Sequence, residues 1–164
     1  MATILVVDDE KDIRSLLRRI LEEEGHCVLE AGNGAEAVGL NRRVRADLVI
    51  LDILMPVEDG MEATWQLTHE FPGVKIIAMT GGQGDMNFLD AAKILGAHRT
   101  IQKPFDVEHM LQLVRDEMAQ RERKASGLRP RAFSSAAEAK AAVWSDSRLQ
   151  RDSRSGHGRL PALP

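Results

Sequence analysis

Five polar side chains stand where a chain of otherwise apolar segments changes direction. Asp8 and Asp9 close the run "TILVV". Asp52 closes "LVIL", Thr80 closes "KIIAM", and Lys103 closes "RTIQ". Burying one unpaired carboxylate costs several kcal/mol or more, so Asp52 needs either a counter-charge or a task. Three acids brought to one place repel each other, and the usual remedy is a hard cation. Carboxylates, a carbonyl and waters suit octahedral Mg2+ or Mn2+. A lysine ammonium is a point charge matched to a phosphoryl oxygen, and a hydroxyl can donate to another. An aspartate carboxylate can act as nucleophile in phosphoryl transfer, whose demands are mainly positioning and charge stabilisation.

Bringing these residues together requires a particular scaffold. Residues 3–7 read as a buried β-branched strand, and Ile13, Leu16, Leu17, Ile20 and Leu21 form one stripe of a helix ended by Gly25. Strands follow at 27–31, 48–52, 75–80 and 99–102. Helices fall between them: one from Asn33-Gly34 through Ala37 and Leu40, one from Gly60 to about Glu70, and one carrying Phe88, Leu89, Ala92 and Leu95. Val107, Met110, Leu111, Val114 and Met118 mark the last helix. Such alternation implies a parallel sheet with helices on both faces. Ligand chemistry in these sheets gathers at the carboxyl ends of the strands, where all five polar residues lie.

The matching residues, "VVDDE", "LDILMPVEDG", "AMTGG" and "QKPF", resemble a response-regulator receiver domain of two-component signalling over about residues 3–118. The resemblance implies a flavodoxin-like, doubly wound, five-stranded sheet in the order 2-1-3-4-5 with five helices. It implies that Asp52 accepts a phosphoryl group from a sensor histidine kinase or phosphotransfer protein. Asp9, Asp52 and the Leu54 carbonyl would bind Mg2+ directly, with Asp8 acting mostly through water. Thr80 and Lys103 would contact the phosphoryl oxygens, with the backbone of Leu54 and Gly81 beside them, and Lys103-Pro104 would be cis. The chain would be a phospho-acceptor rather than a turnover enzyme, and a homodimer through helix 4, strand 5 and helix 5 would fit the family.

Two departures stand out. Thr100 replaces the aromatic residue usual three positions before the lysine, so the usual signal through helix 4, strand 5 and helix 5 lacks the ring that carries it. Leu54 and Gly82 flank the path of a hydrolytic water without offering it a polar side chain. That points to slow self-dephosphorylation, although Gly82 also leaves the entrance open.

Two other protein classes place related residues on a doubly wound sheet. A haloacid-dehalogenase-like Mg2+-dependent phosphatase carries its nucleophile in Asp-x-Asp on the first strand, whereas Asp8 and Asp9 are adjacent. A flavodoxin-like mononucleotide binder needs a hydroxyl- or Gly-rich loop after the first strand, where this chain has Asp8-Asp9-Glu10. Gly81-Gly82-Gln83-Gly84 lacks the Gly-Lys-Ser/Thr ending of a P-loop. Taken singly, Thr80 reads as a β-former and Lys103 as a solvated charge; their company alters that reading. His26, His69, His98, His109 and His157 show no ligand spacing.

The 164 residues include one cysteine, Cys27, read as core filler, and no Tyr. No apolar run approaches the ~18 residues a membrane helix needs, and a soluble cytoplasmic protein is expected. Residues 1–120 form the expected domain. Residues 121–164 hold ten Lys/Arg against four Asp/Glu, net +6, which leaves a net −9 for residues 1–120. This basic Ser/Ala/Arg-rich tail reads as disordered, with room for one short helix at 135–144. About 44 residues beyond position 120 are too few for a winged-helix or helix-turn-helix domain. A stand-alone regulator acting on a protein partner or relaying the phosphoryl group is therefore expected, and DNA binding is not.

Overall fold

The computed structural model describes residues 1–55, 60–81 and 86–125. The order of elements is β1 (Thr3–Val7), α1 (Lys11–Glu23), β2 (Cys27–Ala31), α2 (Gly34–Val44), β3 (Leu48–Asp52), α3 (Gly60–Glu70), β4 (Lys75–Gly81), α4 (Met86–Ile94), β5 (Arg99–Lys103) and α5 (Val107–Ala125). All strand pairings are parallel, in the order β2-β1-β3-β4-β5. Successive parallel strands need a crossover, and α1, α2, α3 and α4 each supply one, while α5 follows the last strand.

Alternation along the strands divides the core in two. Leu5, Val7, Val49, Leu51, Ile76 and Ala78 point to one face, against Ala37 and Val38 of α2, Ala63 and Leu67 of α3 and Ala92 of α4. Ile4, Val6, Ile50, Ile77 and Met79 point to the other, against Leu17, Ile20 and Leu21 of α1 and Met110, Leu111 and Val114 of α5. Successive strand residues face opposite sides, so continuous apolar runs are required when helices cover both faces.

Local chemistry sets the element ends. Gly25 stops α1 with a φ of 81°, a left-handed conformation that a side chain would strain. Asn33 caps α2 by accepting from the Glu36 N–H at 2.8 Å, while the Glu36 carboxylate accepts from the Gly32 N–H at 2.7 Å. That reciprocal arrangement satisfies two donors at a helix start.

Helix α5 runs to Ala125, beyond the position near 120 where the apolar spacing fades. Part of the reason is ionic. Arg121 pairs with the buried Asp47 carboxylate just before β3, and Asp47 also accepts from the Thr3 N–H at 2.8 Å. One turn earlier, Glu117 meets Lys75 at 3.3 Å and Arg99 at 3.1 Å. These pairs join α5 to the amino ends of β1, β3, β4 and β5. Residues 56–59, residues 82–85, and the tail with its expected helix at 135–144 lie outside the described residues.

Candidate functional site

Because all five strands are parallel, their carboxyl ends share one rim. Val7 of β1 sits beside Leu51 of β3, so Asp8 and Asp52 emerge as neighbours. One carboxylate oxygen from each of Asp8, Asp9 and Asp52 lies within 4.8 Å of the others. Asp8 is fully buried, Asp52 is buried, and Asp9 is exposed. The Lys103 ammonium donates to Asp52 Oδ2 at 2.6 Å and to Asp8 Oδ2 at 2.7 Å. Glu10 Oε1 stands 3.7 Å from the same nitrogen. Lys103 is only 13% exposed at its side chain, so the solvated-charge reading does not hold.

Burial pushes the Asp8 carboxyl above its ordinary value. Hydrogen bonds from Lys103 and from the Glu10 N–H, and the charge of Lys103, pull it back only in part, and Asp52 adds to the rise. Burial works against the Lys103 ammonium too, but its bonds to Asp52 and Asp8 outweigh that cost and hold its pKa above the usual lysine value. One cation is shared by two buried acids, with the exposed Asp9 in the same cluster. Three oxygen donors at close quarters, with too little positive charge beside them, fit a small hard cation.

The other expected residues are placed by the strands. Asp52 pairs in register with Met79, and Thr80 follows at the end of β4, opposite Gln102. Thr80 is fully buried, and its hydroxyl has no hydrogen-bond partner among the described residues. Gly81 lies opposite Lys103, and a Cβ there would come within 3.8 Å of Lys103 Cδ. The Leu54 N–H donates to Asp52 Oδ1 at 2.8 Å, and Leu54 itself is exposed. The Lys103–Pro104 bond is cis, as the resemblance implied. Thr100 lies on β5 opposite Ala78 and is half-buried. Gly82, named for the hydrolytic path, falls outside the described residues.

The spacing of motif residues did not reveal Arg14. Its Nη1 donates to the Asp8 carbonyl at 2.6 Å and the Asp9 carbonyl at 3.1 Å. The one available signal was a lone cation between Ile13 and Leu17, beside the apolar stripe of α1.

A doubly wound sheet whose rim joins three aspartates, a buried hydroxyl and a lysine defines a flavodoxin-like fold with an acid-centred site at the carboxyl ends of its strands. Comparison with known proteins narrows this. The family model for the response regulator receiver domain matches residues 4–115. The chemotaxis protein CheY of Halobacterium salinarum is 40% identical over 113 residues, covering 69% of this chain and 93% of that protein. Sporulation initiation phosphotransferase F of Bacillus subtilis is 34% identical, covering 68% and 90%. The crystal structure of a CheY-like response regulator receiver domain protein from Methanospirillum hungatei superposes with a TM-score of 0.72 at 27% identity, covering 76% of this chain and 98% of that one. The chain belongs to the response-regulator receiver domain family of two-component signalling. Among the described residues no helix is long and apolar enough to cross a membrane.

Proposed function

We propose that Asp52 is the phospho-acceptor of this receiver domain and takes its phosphoryl group from a phosphohistidine on a sensor kinase or phosphotransfer protein. The observation that carries the reading is the Lys103 ammonium held between Asp52 and Asp8 at hydrogen-bond distance, with Asp9 in the same cluster. In the transfer, an Asp52 carboxylate oxygen forms a bond to phosphorus as the phosphorus–nitrogen bond to the donor imidazole breaks. The imidazole keeps the electron pair and takes a proton from solvent. The product is an acyl phosphate on Asp52.

Asp8, Asp9, Asp52 and the Leu54 carbonyl would hold Mg2+ or Mn2+, which when bound neutralises charge on the phosphoryl oxygens. Lys103 is already beside the acceptor and supplies a second positive charge. The backbone N–H groups of Leu54 and Gly81 would donate to two further phosphoryl oxygens, that of Leu54 leaving the Asp52 Oδ1 it now serves. Thr80 offers a buried hydroxyl without a partner among the described residues, which a phosphoryl oxygen would satisfy. Its movement toward that oxygen would disturb the end of β4 and bias how a protein partner is bound. Thr100 has no ring to follow that movement, so the signal would leave by the carboxyl end of β4 at Gly81. The chain thereby acts as a switch or a phosphoryl relay rather than a turnover enzyme.

The test is incubation of the full chain with acetyl phosphate and Mg2+, followed by intact mass measurement. One phosphoryl adduct is expected on the wild-type protein and none on Asp52→Asn. An adduct that persists in Asp52→Asn, or a wild-type protein that gains none, would refute the assignment.

A further inference from the structure

Asp8 and Asp9 sit in the short turn between β1 and α1, where a backbone without restraint would let the two carboxylates spread apart. Like charges within 4.8 Å of a third acid favour that spreading. The turn is nevertheless held at several points. The Asp8 N–H donates to the Ala31 carbonyl at 3.2 Å. The Glu10 N–H donates to Asp8 Oδ1 at 2.9 Å. The two carbonyls, of Asp8 and of Asp9, both accept from Arg14 Nη1. Arg14 is itself oriented from the other side, because its Nε lies 3.7 Å from Glu30 Oε2 on β2, the strand beside β1. Its side chain is only 17% exposed. Glu30 is braced in turn by Arg18 at 3.1 Å.

We propose that Arg14 is a positioning residue for the cation site: it grips the backbone of Asp8 and Asp9 and so aims their carboxylates at Asp52. The inference rests on the receiver reading above, in which those acids hold Mg2+. Arg14 contacts carbonyl oxygens in the structure, not carboxylates, so it acts through the turn. Residues that orient metal ligands from outside the ligand set are commonly worth ten- to a hundredfold in affinity.

The sign of the effect separates this role from simple electrostatics. Arg14 is a positive charge close to a cation site. If charge were its whole contribution, removing it would tighten Mg2+ binding. If it positions the turn, removing it weakens binding. The measurement is a calorimetric titration of the full-length chain with MgCl2, without a phosphoryl donor. Arg14→Met keeps much of the aliphatic stem and loses the guanidinium. It is expected to raise the Mg2+ dissociation constant about tenfold. Arg14→Lys keeps the charge and can reach the carbonyls but loses the Nε that faces Glu30, so it should lie between the wild type and Arg14→Met.

Circular dichroism establishes that each variant is folded. Equal or tighter Mg2+ binding by a folded Arg14→Met overturns the proposal. Should Arg14→Met not fold, Arg14→Lys decides: weaker binding supports the positioning role, and unchanged binding overturns it. A wild-type chain that binds no Mg2+ overturns the metal-site reading itself and this inference with it. Wild-type binding matched by both variants overturns the inference alone.

Discussion

Gly60, the first residue of α3, packs directly against the end of β3. A Cβ built there would stand 2.2 Å from the Asp52 carbonyl oxygen and 2.5 Å from Ile53 Cα. Comfortable carbon contacts lie near ~3.5 Å or beyond, so Gly60→Ala requires a displacement of roughly 1 Å. Both obstacles are backbone atoms, and no flexible side chain can yield in their place. Either α3 moves outward and loosens Ala63 and Leu67 from the core, or the strand end carrying Asp52 moves. Overpacking typically costs 1–3 kcal/mol, and a rigid backbone clash belongs at the upper end, about 3 kcal/mol. A misplacement of about 1 Å at a reacting group can cost about a hundredfold in rate.

Gly39, inside α2, is the matched control, because a Cβ there meets nothing within 4 Å. Gly39→Ala should stabilise by about 0.5–1 kcal/mol through helix propensity alone. The two alanine variants should thus differ by roughly 4 kcal/mol in urea unfolding. Gly60→Ala should also slow adduct formation with acetyl phosphate by one to two orders of magnitude, while Gly39→Ala should not. A Gly60→Ala protein within about 1 kcal/mol of wild type that still phosphorylates at the normal rate would show the close approach to be absent.

Other outcomes follow from the same geometry. Glu117→Ala leaves the Lys75 ammonium, 11% exposed at its side chain, without its counter-charge. It should lose about 3 kcal/mol in denaturant titration, and a loss below about 1 kcal/mol would mean the buried pair contributes little. Asn33→Ala removes the cap of α2 and should cost about 1 kcal/mol by the same assay, with the adduct chemistry intact. His26 is held below the ordinary histidine pKa, first by burial and then by the charge of the chain's amino terminus, against the opposing pull of Glu24 and Asp47. Its neutral form is therefore favoured in the folded state. That contribution is complete above the unfolded histidine pKa of about 6.5 and is lost as pH falls through the lower folded value. Stability measured from pH 7 downward should fall less steeply in His26→Gln than in wild type, and parallel curves would contradict this.

How much was readable before folding follows from the range of each interaction. Strand and helix identity depend on neighbours in sequence, and "TILVV", "LVILD" and the stripe through Leu17 and Leu21 declare themselves by composition and period. Parallel strands then oblige Asp8, Asp9, Asp52, Thr80 and Lys103 to share one rim, because in every such strand the carboxyl end faces the same way. Those five positions were legible from strand ends alone, and their resemblance to a known family supplied the strand order that periodicity leaves open.

Tertiary structure alone decided who touches whom across long sequence separations. Lys103 is 95 residues from Asp8, and no local pattern says that its ammonium bridges Asp8 and Asp52. Nothing in the local pattern of α1 marks Arg14 as the donor to the Asp8 and Asp9 carbonyls of the turn beneath it. The end of α5 was likewise hidden. Beyond Met118 the apolar stripe fades, and what holds Arg121 is the Asp47 carboxylate, a partner set by how the helix lies across the sheet. Apolar periodicity records which face a segment buries. Hydrogen bonds and ion pairs depend on distances of about 3 Å between distant segments, and the fold sets those distances.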